Sequence, residues 1–281
     1  MEFIIQNKTL TYHDLDLYVK KNLFKFNYYN TLTSFGKKQL TDDIGWSCTI
    51  KSFQMMLAFW IYHIDKEANI VELFYKETGC LSIHEFIKKL NEMGYEEGVH
   101  LGSFLISNIY QRIINESKLP YNIYVTDDSI IDIQKIDYNK TNLYLFSIRL
   151  GLNKFDLSYE CIIKNCFQIP EFIGCIGGVG TSCYYFFGYE AQTQYLVYLD
   201  PHVVTKYKST MKQSQLKAKH YSIVHINNLN PSITFCFHSK NETQFIKMKK
   251  SLESMTCFNI LNKIDYYQQK KGKTDYNWNV L

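Results

Sequence analysis

The first candidate nucleophile in the sequence is a cysteine that directly precedes a long amphipathic segment. Cys48 ends the run DIGWSC, where Asp43, Gly45 and Ser47 are typical of turns and helix caps. The spacing predicts a helix of four to five turns, with an apolar face formed by Ile50, Phe53, Leu57, Trp60, Ile61 and Ile64. The free N–H groups and positive dipole end of a helix start stabilise a thiolate. Most free cysteines are simply small buried residues, and for Cys48 taken alone that interpretation is the stronger one.

A histidine and an aspartate stand two residues apart in the run LVYLDPHVV. On an extended backbone Asp200 and His202 face the same side, so the carboxylate can accept from one ring nitrogen and leave the other free to act as a base. Pro201 places the pair at the end or edge of a strand, because it cannot donate to a sheet. An ordinary turn opened by Asp-Pro explains the same residues equally well.

A glycine-rich run, GCIGGVGTSCYYFFGY, precedes a predicted strand. Gly177, Gly178 and Gly180 do not form a phosphate-binding loop, since no Gly-Lys-Ser/Thr is present and no helix follows. They indicate either a flexible loop beside a site or a plain tight turn.

The composition is that of a globular chain of 281 residues, 46% of them apolar and 21% charged. A net charge of +4 is too small for a dedicated nucleic-acid binder but permits weak contact with an anionic membrane. No apolar run is long enough for a membrane helix and no secretory signal is visible, so we expect a cytoplasmic protein. Its eight cysteines are then expected to be reduced. The histidines show no metal-ligand spacing, so we expect neither a metal nor another cofactor.

The elements that must position these residues are predicted from periodicity, which indicates an α+β fold. Strands are predicted at 1–5, 143–150, 172–176, 183–189, 195–200, 221–226 and 232–237. Thr11 and Asp14 resemble a capping box at the start of a helix, and a last amphipathic helix is predicted to begin near Phe245. Polar residues at 27–43 predict a loop.

In their order and spacing these motifs resemble the autophagins, papain-like cysteine proteases that process the ubiquitin-like autophagy modifier. The segment DIGWSCTIKSFQMM is similar to the family's nucleophile motif. The similarity continues through IRLGL, Cys166-Phe167 with Pro170 beyond it, GCIGG, YYFFGY, YLDPH and LNPSITFCF. It covers nearly the whole chain and is weakest in the middle third.

The resemblance implies a papain-like fold in which Cys48 is the nucleophile, His202 the base and Asp200 the acid that orients the base. Tyr28 matches a tyrosine whose hydroxyl the family uses at the oxyanion hole, with the neighbouring Tyr29 as an alternative register. The residues implied in substrate binding or in a mobile loop over the cleft are Gly177, Gly178, Val179, Gly180, Trp46 and Phe104.

Three features depart from the family pattern. Ser47 replaces the glycine before the nucleophile, a change that a turn should tolerate, and Lys51 replaces an arginine. The family's Trp-Tyr-Gly-Pro segment, whose Trp lies over the nucleophile, is not legible. Phe104 is the nearest match to that Trp by register.

The activity implied by the resemblance is attack on a glycyl carbonyl, which would mature a modifier precursor and release the modifier from its lipid amide. The implied partners are the modifier and, transiently, autophagic membranes; no nucleic acid is implied, and the protein is expected to be a monomer. Two other classes stay open. One is a different papain-like thiol enzyme, such as a ubiquitin-family protease, and the other is a catalytically inactive scaffold that holds the modifier.

We expect a catalytic domain over residues 1–265, with a small inserted subdomain at about 81–140, and a flexible tail over residues 266–281. The tail carries W-x-x-L at Trp278 and Leu281, which resembles the short motif by which autophagy proteins bind the modifier. The two side chains would fill apolar pockets while the peptide adds to a sheet edge. A tail that folds back on its own domain, or an incidental match, explains the same letters.

Overall fold

The structure is a computed structural model that describes residues 2–126, 130–255 and 257–261. Its helices are α1 (Tyr12–Asn22), α2 (Cys48–Ile64), α3 (Ile83–Glu92), α4 (Ser103–Glu116), α5 (Glu160–Phe167), α6 (Gln213–Leu216) and α7 (Glu242–Glu253). Its strands are β1 (Phe3–Ile5), β2 (Lys8–Leu10), β3 (Tyr28–Asn30), β4 (Tyr121–Val125), β5 (Ile130–Asp132), β6 (Thr141–Arg149), β7 (Phe172–Val179), β8 (Ser182–Glu190), β9 (Tyr195–Leu199), β10 (Val204–Lys206), β11 (Ser222–His225), β12 (Leu229–Ser239) and β13 (Asn259–Leu261).

One mixed sheet forms the centre of the molecule. Its strands lie in the order β11-β9-β8-β7-β12-β6-β4, and β1 joins it beside β8 with β2 as a further partner. Neighbours along this order are antiparallel except β4, which runs parallel to β6. Alternate side chains of a strand point to opposite faces. Leu143 and Leu145 accordingly join one apolar cluster, and Tyr144 and Phe146 join the other.

Helix α2 lies in the larger of these clusters and is buried from Cys48 to Ile61. It packs on β7 and β8, with α1 and α4 as further neighbours. A helix that is apolar on all sides belongs inside a core, and this explains why its sequence is hydrophobic well beyond a single face. The predicted helix of four to five turns is confirmed, and its fixed start positions Cys48 beside β8.

The opposite face of the sheet is covered by α5 and α7, whose apolar residues form the second cluster. Asp156 caps a short 3-10 turn that leads into α5, and the predicted capping box of Thr11 and Asp14 begins α1. The predicted strands and the last helix are confirmed within a few residues at each end. Within the described ranges, no helix has the length and apolar character that crossing a membrane requires.

The middle third of the chain is part of the main core. Helices α3 and α4 pack on each other, and their apolar side chains belong to the same cluster as those of α2. Strand β4 follows α4 and extends the central sheet beside β6. Residues 83–125, within the range 81–140 expected for an inserted subdomain, thus pack on the same apolar cluster as α2.

The loop expected at 27–43 contains strand β3. This strand pairs in parallel with β10, so that Tyr28 lies opposite Val204. Three residues are too few for alternation to be visible in a sequence. The strand therefore cannot be predicted from its own residues, because it is defined by pairing with β10, which is distant in the chain.

Candidate active site

Cys48 is the first residue of α2 and is only 2% exposed. It lines a cleft of about 570 Å³ together with residues 100–103, the tip of the β7–β8 hairpin and residues 230–232. Ser47 precedes the helix with φ −94°, an ordinary value, and its hydroxyl donates to the Asp43 carbonyl at 2.8 Å. The serine at this position is thus accommodated in the turn, as expected.

Asp200 and His202 follow directly after β9, and their side chains face each other. The Nδ1 atom of His202 lies 2.6 Å from Oδ1 of Asp200. The same oxygen accepts the backbone N–H of His202 at 2.9 Å. The carboxylate therefore fixes both the ring and its backbone, and it leaves the other ring nitrogen free to act as a base.

The side chains of Cys48 and His202 are near enough that each shifts the pKa of the other. Nearby Cys48 contributes to the raised pKa of the Tyr28 hydroxyl, and the Tyr28 ring packs on the imidazole at 5.4 Å between centroids and 88° between planes. The backbone N–H of Tyr28 donates to the carbonyl of Pro201 at 3.1 Å. The structure thus brings together all four residues that the resemblance implied.

The pKa values of this group favour a thiolate and an imidazolium. Burial alone would raise the pKa of the Cys48 thiol, but hydrogen bonds from His202 and from the backbone of Cys183 outweigh it and lower that pKa to about 7. The hydrogen bonds to Asp200 and Cys48 raise the pKa of His202 to about 9. Burial and the negative sulfur raise the pKa of Tyr28, so its hydroxyl stays a donor.

Two further contributors were not found from the sequence. The backbone of Cys183, at the start of β8, lowers the pKa of the Cys48 thiol, and the Ser52 hydroxyl donates to the Cys183 carbonyl at 3.2 Å. Next to it, the ring of Tyr184 lies 5.2 Å from that of His202. Nothing in the motif YYFFGY distinguishes these residues from core positions of a strand, so only the fold could show them.

Asp43 and Lys51 form a buried ion pair behind the nucleophile, with 2.5 Å between Oδ2 and Nζ. The other carboxylate oxygen accepts the backbone N–H of Tyr29 at 2.6 Å. Lys51 also lies over the Tyr29 ring, at 4.5 Å from its centroid. The sequence predicts only a turn role for Asp43, because a carboxylate in a turn is usually exposed.

The glycine-rich run is mostly strand and not loop. Gly177, Gly178 and Val179 belong to β7 and pair with β8, so the turn is limited to Gly180, at φ +61°, and Thr181. A Cβ at Gly178 would lie 2.5 Å from the side-chain nitrogen of Asn230, which donates to the carbonyl of Gly180 at 2.7 Å. The glycine is needed for this close approach, which the sequence could not reveal because Asn230 lies far along the chain.

Neither Phe104 nor Trp46 is among the residues that line the cleft beside Cys48. Phe104 lies in the first turn of α4 with half of its side chain exposed, and it is not among the residues that line the cleft. The backbone before it, residues 100–103, does line the cleft. Trp46 is half-buried and packs against the main core. That Phe104 takes the place of the family Trp stays a prediction, and its exposed position outside the cleft lining gives it no support.

Trp278 and Leu281 lie outside the described residues, so the modifier-binding tail stays a prediction. Among the residues that the structure does describe, no group of three His, Cys, Asp or Glu side chains is placed to hold a metal ion.

Comparison with known proteins identifies the family. The model of the peptidase C54 catalytic domain matches residues 17–251, which include Cys48, Asp200 and His202. The chain belongs to the peptidase C54 family. The papain-like α+β fold and the autophagin resemblance agree with this membership, and Tyr28 also lies within the matched range.

Individual relatives agree with the family model. The cysteine protease ATG4 of Candida albicans is 29% identical over 260 residues, which cover 86% of this chain and 57% of that protein. The probable cysteine protease ATG4 of Scheffersomyces stipitis is 26% identical over 98% of this chain and 53% of its own length. The human cysteine protease ATG4A is 24% identical over 78% of this chain and 69% of its own length. The chain thus spans little more than half the length of these two fungal relatives.

Proposed function

We propose that this C54 peptidase cleaves the ubiquitin-like autophagy modifier directly after a C-terminal glycine. One observation carries the proposal: the His202 imidazole is hydrogen-bonded to Asp200 through Nδ1, and His202 and Cys48 lie near enough that each shifts the pKa of the other. Such a ring can shuttle a proton to and from a nucleophilic sulfur. The relatives named as cysteine proteases ATG4 support the choice of modifier.

The reaction begins with the thiolate of Cys48. Its sulfur forms a bond to the glycyl carbonyl carbon, and the carbonyl electron pair moves to oxygen. The N–H groups at the start of α2 and the hydroxyl of Tyr28 are the donors available to that oxyanion. The imidazolium of His202 then gives its proton to the leaving amine, and the carbon–nitrogen bond breaks.

Water completes the cycle. His202, now neutral, accepts a proton from water as its oxygen attacks the acyl-enzyme, and the carbon–sulfur bond breaks to restore the thiolate. The same steps apply whether the leaving amine belongs to a peptide or to a lipid. Maturation of a precursor and release from a lipid amide are therefore both within the proposed activity.

The cleft supports a substrate without a side chain at the scissile residue. Gly177, Gly178 and Gly180 line it beside Cys48. In this proposal the entrance beside Cys48 admits an extended tail that ends in glycine and excludes larger side chains by steric clash. The proposal includes a cytoplasmic monomer that meets autophagic membranes transiently through its lipid-linked substrate.

The alternative of an inactive scaffold is less well supported. A scaffold needs the groove, but it does not need a cysteine whose pKa is lowered to about 7 beside a histidine whose pKa is raised to about 9. A different ubiquitin-family substrate would use the same chemistry, so the choice between modifiers rests on the substrate tested.

A modifier precursor with a C-terminal reporter tests the proposal. The wild-type protein is compared with Cys48→Ala and with Cys161→Ala, a matched control that removes an exposed cysteine outside the cleft. We expect Cys48→Ala to abolish release of the reporter and to keep modifier binding, and Cys161→Ala to cleave like the wild type. Equal cleavage by wild type and Cys48→Ala would contradict the mechanism, and cleavage of ubiquitin but not of the modifier would contradict the substrate.

A further inference from the structure

A tyrosine that the proposed mechanism does not use lies against the catalytic base. The ring centroids of Tyr184 and His202 are 5.2 Å apart, and the ring planes meet at 58°. Tyr28 contacts the same imidazole at 5.4 Å. His202 therefore packs against two tyrosine rings, one carried by β8 and one by β3.

The position of Tyr184 is fixed on several sides. Its backbone lies in β8 opposite Gly177 of β7. Its ring packs on that of Tyr198 at 4.6 Å and 61°, and Tyr198 itself lies on β9, the strand that leads to Asp200 and His202. The aromatic side chain is thus held by the same three neighbouring strands that determine where the imidazole lies.

A neutral aromatic ring beside His202 can add to the stabilisation of its imidazolium by the surrounding charged groups. Asp200 and the thiolate of Cys48 face the imidazole directly, and Lys25 acts on it only through Asp200. Burial raises the pKa of both Tyr28 and Tyr184, which keeps their rings uncharged in the working range. An aromatic ring within about 6 Å attracts a cation and displaces water that would weaken nearby ion pairs.

We propose that Tyr184 is a positioning residue for the catalytic base. Its ring holds the imidazole in the orientation that serves Asp200 and Cys48 together, and it stabilises the imidazolium over the neutral form. This inference rests on the proposed function in one respect, namely that His202 acts on Cys48. The consequence is measurable without any substrate, because a less stable imidazolium raises the pKa of the thiol that it supports.

The experiment measures alkylation of Cys48 by iodoacetamide against pH, with the modified peptide identified by mass spectrometry. The proteins are the wild type, Tyr184→Leu, Tyr184→Phe and Tyr195→Leu. The last is a matched control, because Tyr195 packs on His225 with the same 5.2 Å between ring centroids at the far end of β9. Turnover of the modifier precursor is measured in parallel, with kcat and KM separated.

We expect Tyr184→Leu to move the alkylation midpoint upward by about half a pH unit and to lower kcat about threefold at nearly constant KM. Tyr184→Phe should restore the wild-type midpoint, and Tyr195→Leu should not move it. An unmoved midpoint in a Tyr184→Leu protein that unfolds at the wild-type temperature overturns the proposal. If Tyr184→Leu does not fold, Tyr184→Met, whose flexible chain fills the gap without a ring, is judged by the same criterion.

The two proposals can fail separately. A shifted midpoint in a protein whose wild type does not cleave the modifier would overturn the proposed function and leave the role of Tyr184 standing. Modifier cleavage that depends on Cys48, together with an unmoved alkylation midpoint in Tyr184→Leu, would support the proposed function and overturn the role of Tyr184.

Discussion

Asp43 and Lys51 form an ion pair in which neither side chain is more than 2% exposed. The carboxylate belongs to the turn before α2 and the ammonium to the first turn of the helix. The pair therefore links the two ends of the short segment that carries Cys48. Through Tyr29 the same carboxylate holds β3, which carries Tyr28. The nucleophile and the proposed oxyanion donor are therefore joined through one buried carboxylate.

Removing one partner of this pair should be costly. Lys51→Met leaves the Asp43 carboxylate buried without its cation, which should lower the free energy of unfolding by about 3–5 kcal/mol. Urea unfolding measures this, with Lys51→Arg as a variant that keeps the charge. The double variant Asp43→Asn with Lys51→Met should recover part of the loss, and a single Lys51→Met variant as stable as the wild type would contradict the buried pair.

The pH dependence of kcat/KM should be bell-shaped. The Cys48 thiol, with a pKa of about 7, must lose its proton to attack, so activity rises as pH passes 7. The His202 imidazolium, with a pKa of about 9, must keep its proton for the leaving amine, so activity falls as pH passes 9. Because the two groups interact, the apparent pKa values of the two limbs of the profile describe the Cys48–His202 pair and not either residue alone. A profile that continues to rise above pH 10 would show that no imidazolium is required.

Asp200→Asn should leave the fold intact and lower kcat by about 10⁴-fold. The amide can no longer select the imidazole tautomer that presents an acceptor to Cys48, and other triads show losses of this size. Circular dichroism checks the fold and the reporter assay measures turnover. Near wild-type kcat would mean that Asp200 is a turn residue, as Asp-Pro alone allows.

Tyr28→Phe should lower kcat by roughly 10²-fold at nearly constant KM. Its hydroxyl would donate to charge that develops only in the transition state. The matched control is Tyr29→Phe, whose ring lies over Lys51 and not over His202. A higher KM at constant kcat would instead make Tyr28 part of the groove wall, and a loss confined to Tyr29→Phe would show that the other register is correct.

Deletion of residues 278–281 should weaken recruitment of the folded modifier and leave cleavage of a short peptide substrate as it was. Trp278 and Leu281 would bind at a second place on the modifier, so the gain is one of effective concentration. Calorimetry with the isolated tail peptide measures that binding. No heat at millimolar modifier would remove the motif from the mechanism.

Sequence reasoning succeeded where the signal is local. The long apolar segment of α2, the predicted strands at 183–189 and 195–200, and the pair Asp200 and His202 each lie within one short stretch of sequence. Features that depend on contact between two segments distant in the chain could not be predicted in this way. Strand β3 forms only because it pairs with β10. The need for glycine at position 178 comes from the close approach of the Asn230 side chain. The exposure of Phe104 depends on how α4 packs.

The parallel pair of β3 and β10 is a small sheet of its own, separate from the central one in the described residues. Two strands alone are only marginally stable in water. Tyr28 and the backbone just after His202 both depend on this ribbon, so one local opening removes the base and the oxyanion donor in the same event. We therefore expect the site to open at a lower free energy than the whole domain unfolds, so that moderate heating silences it while α2 and the central sheet keep their amide protons.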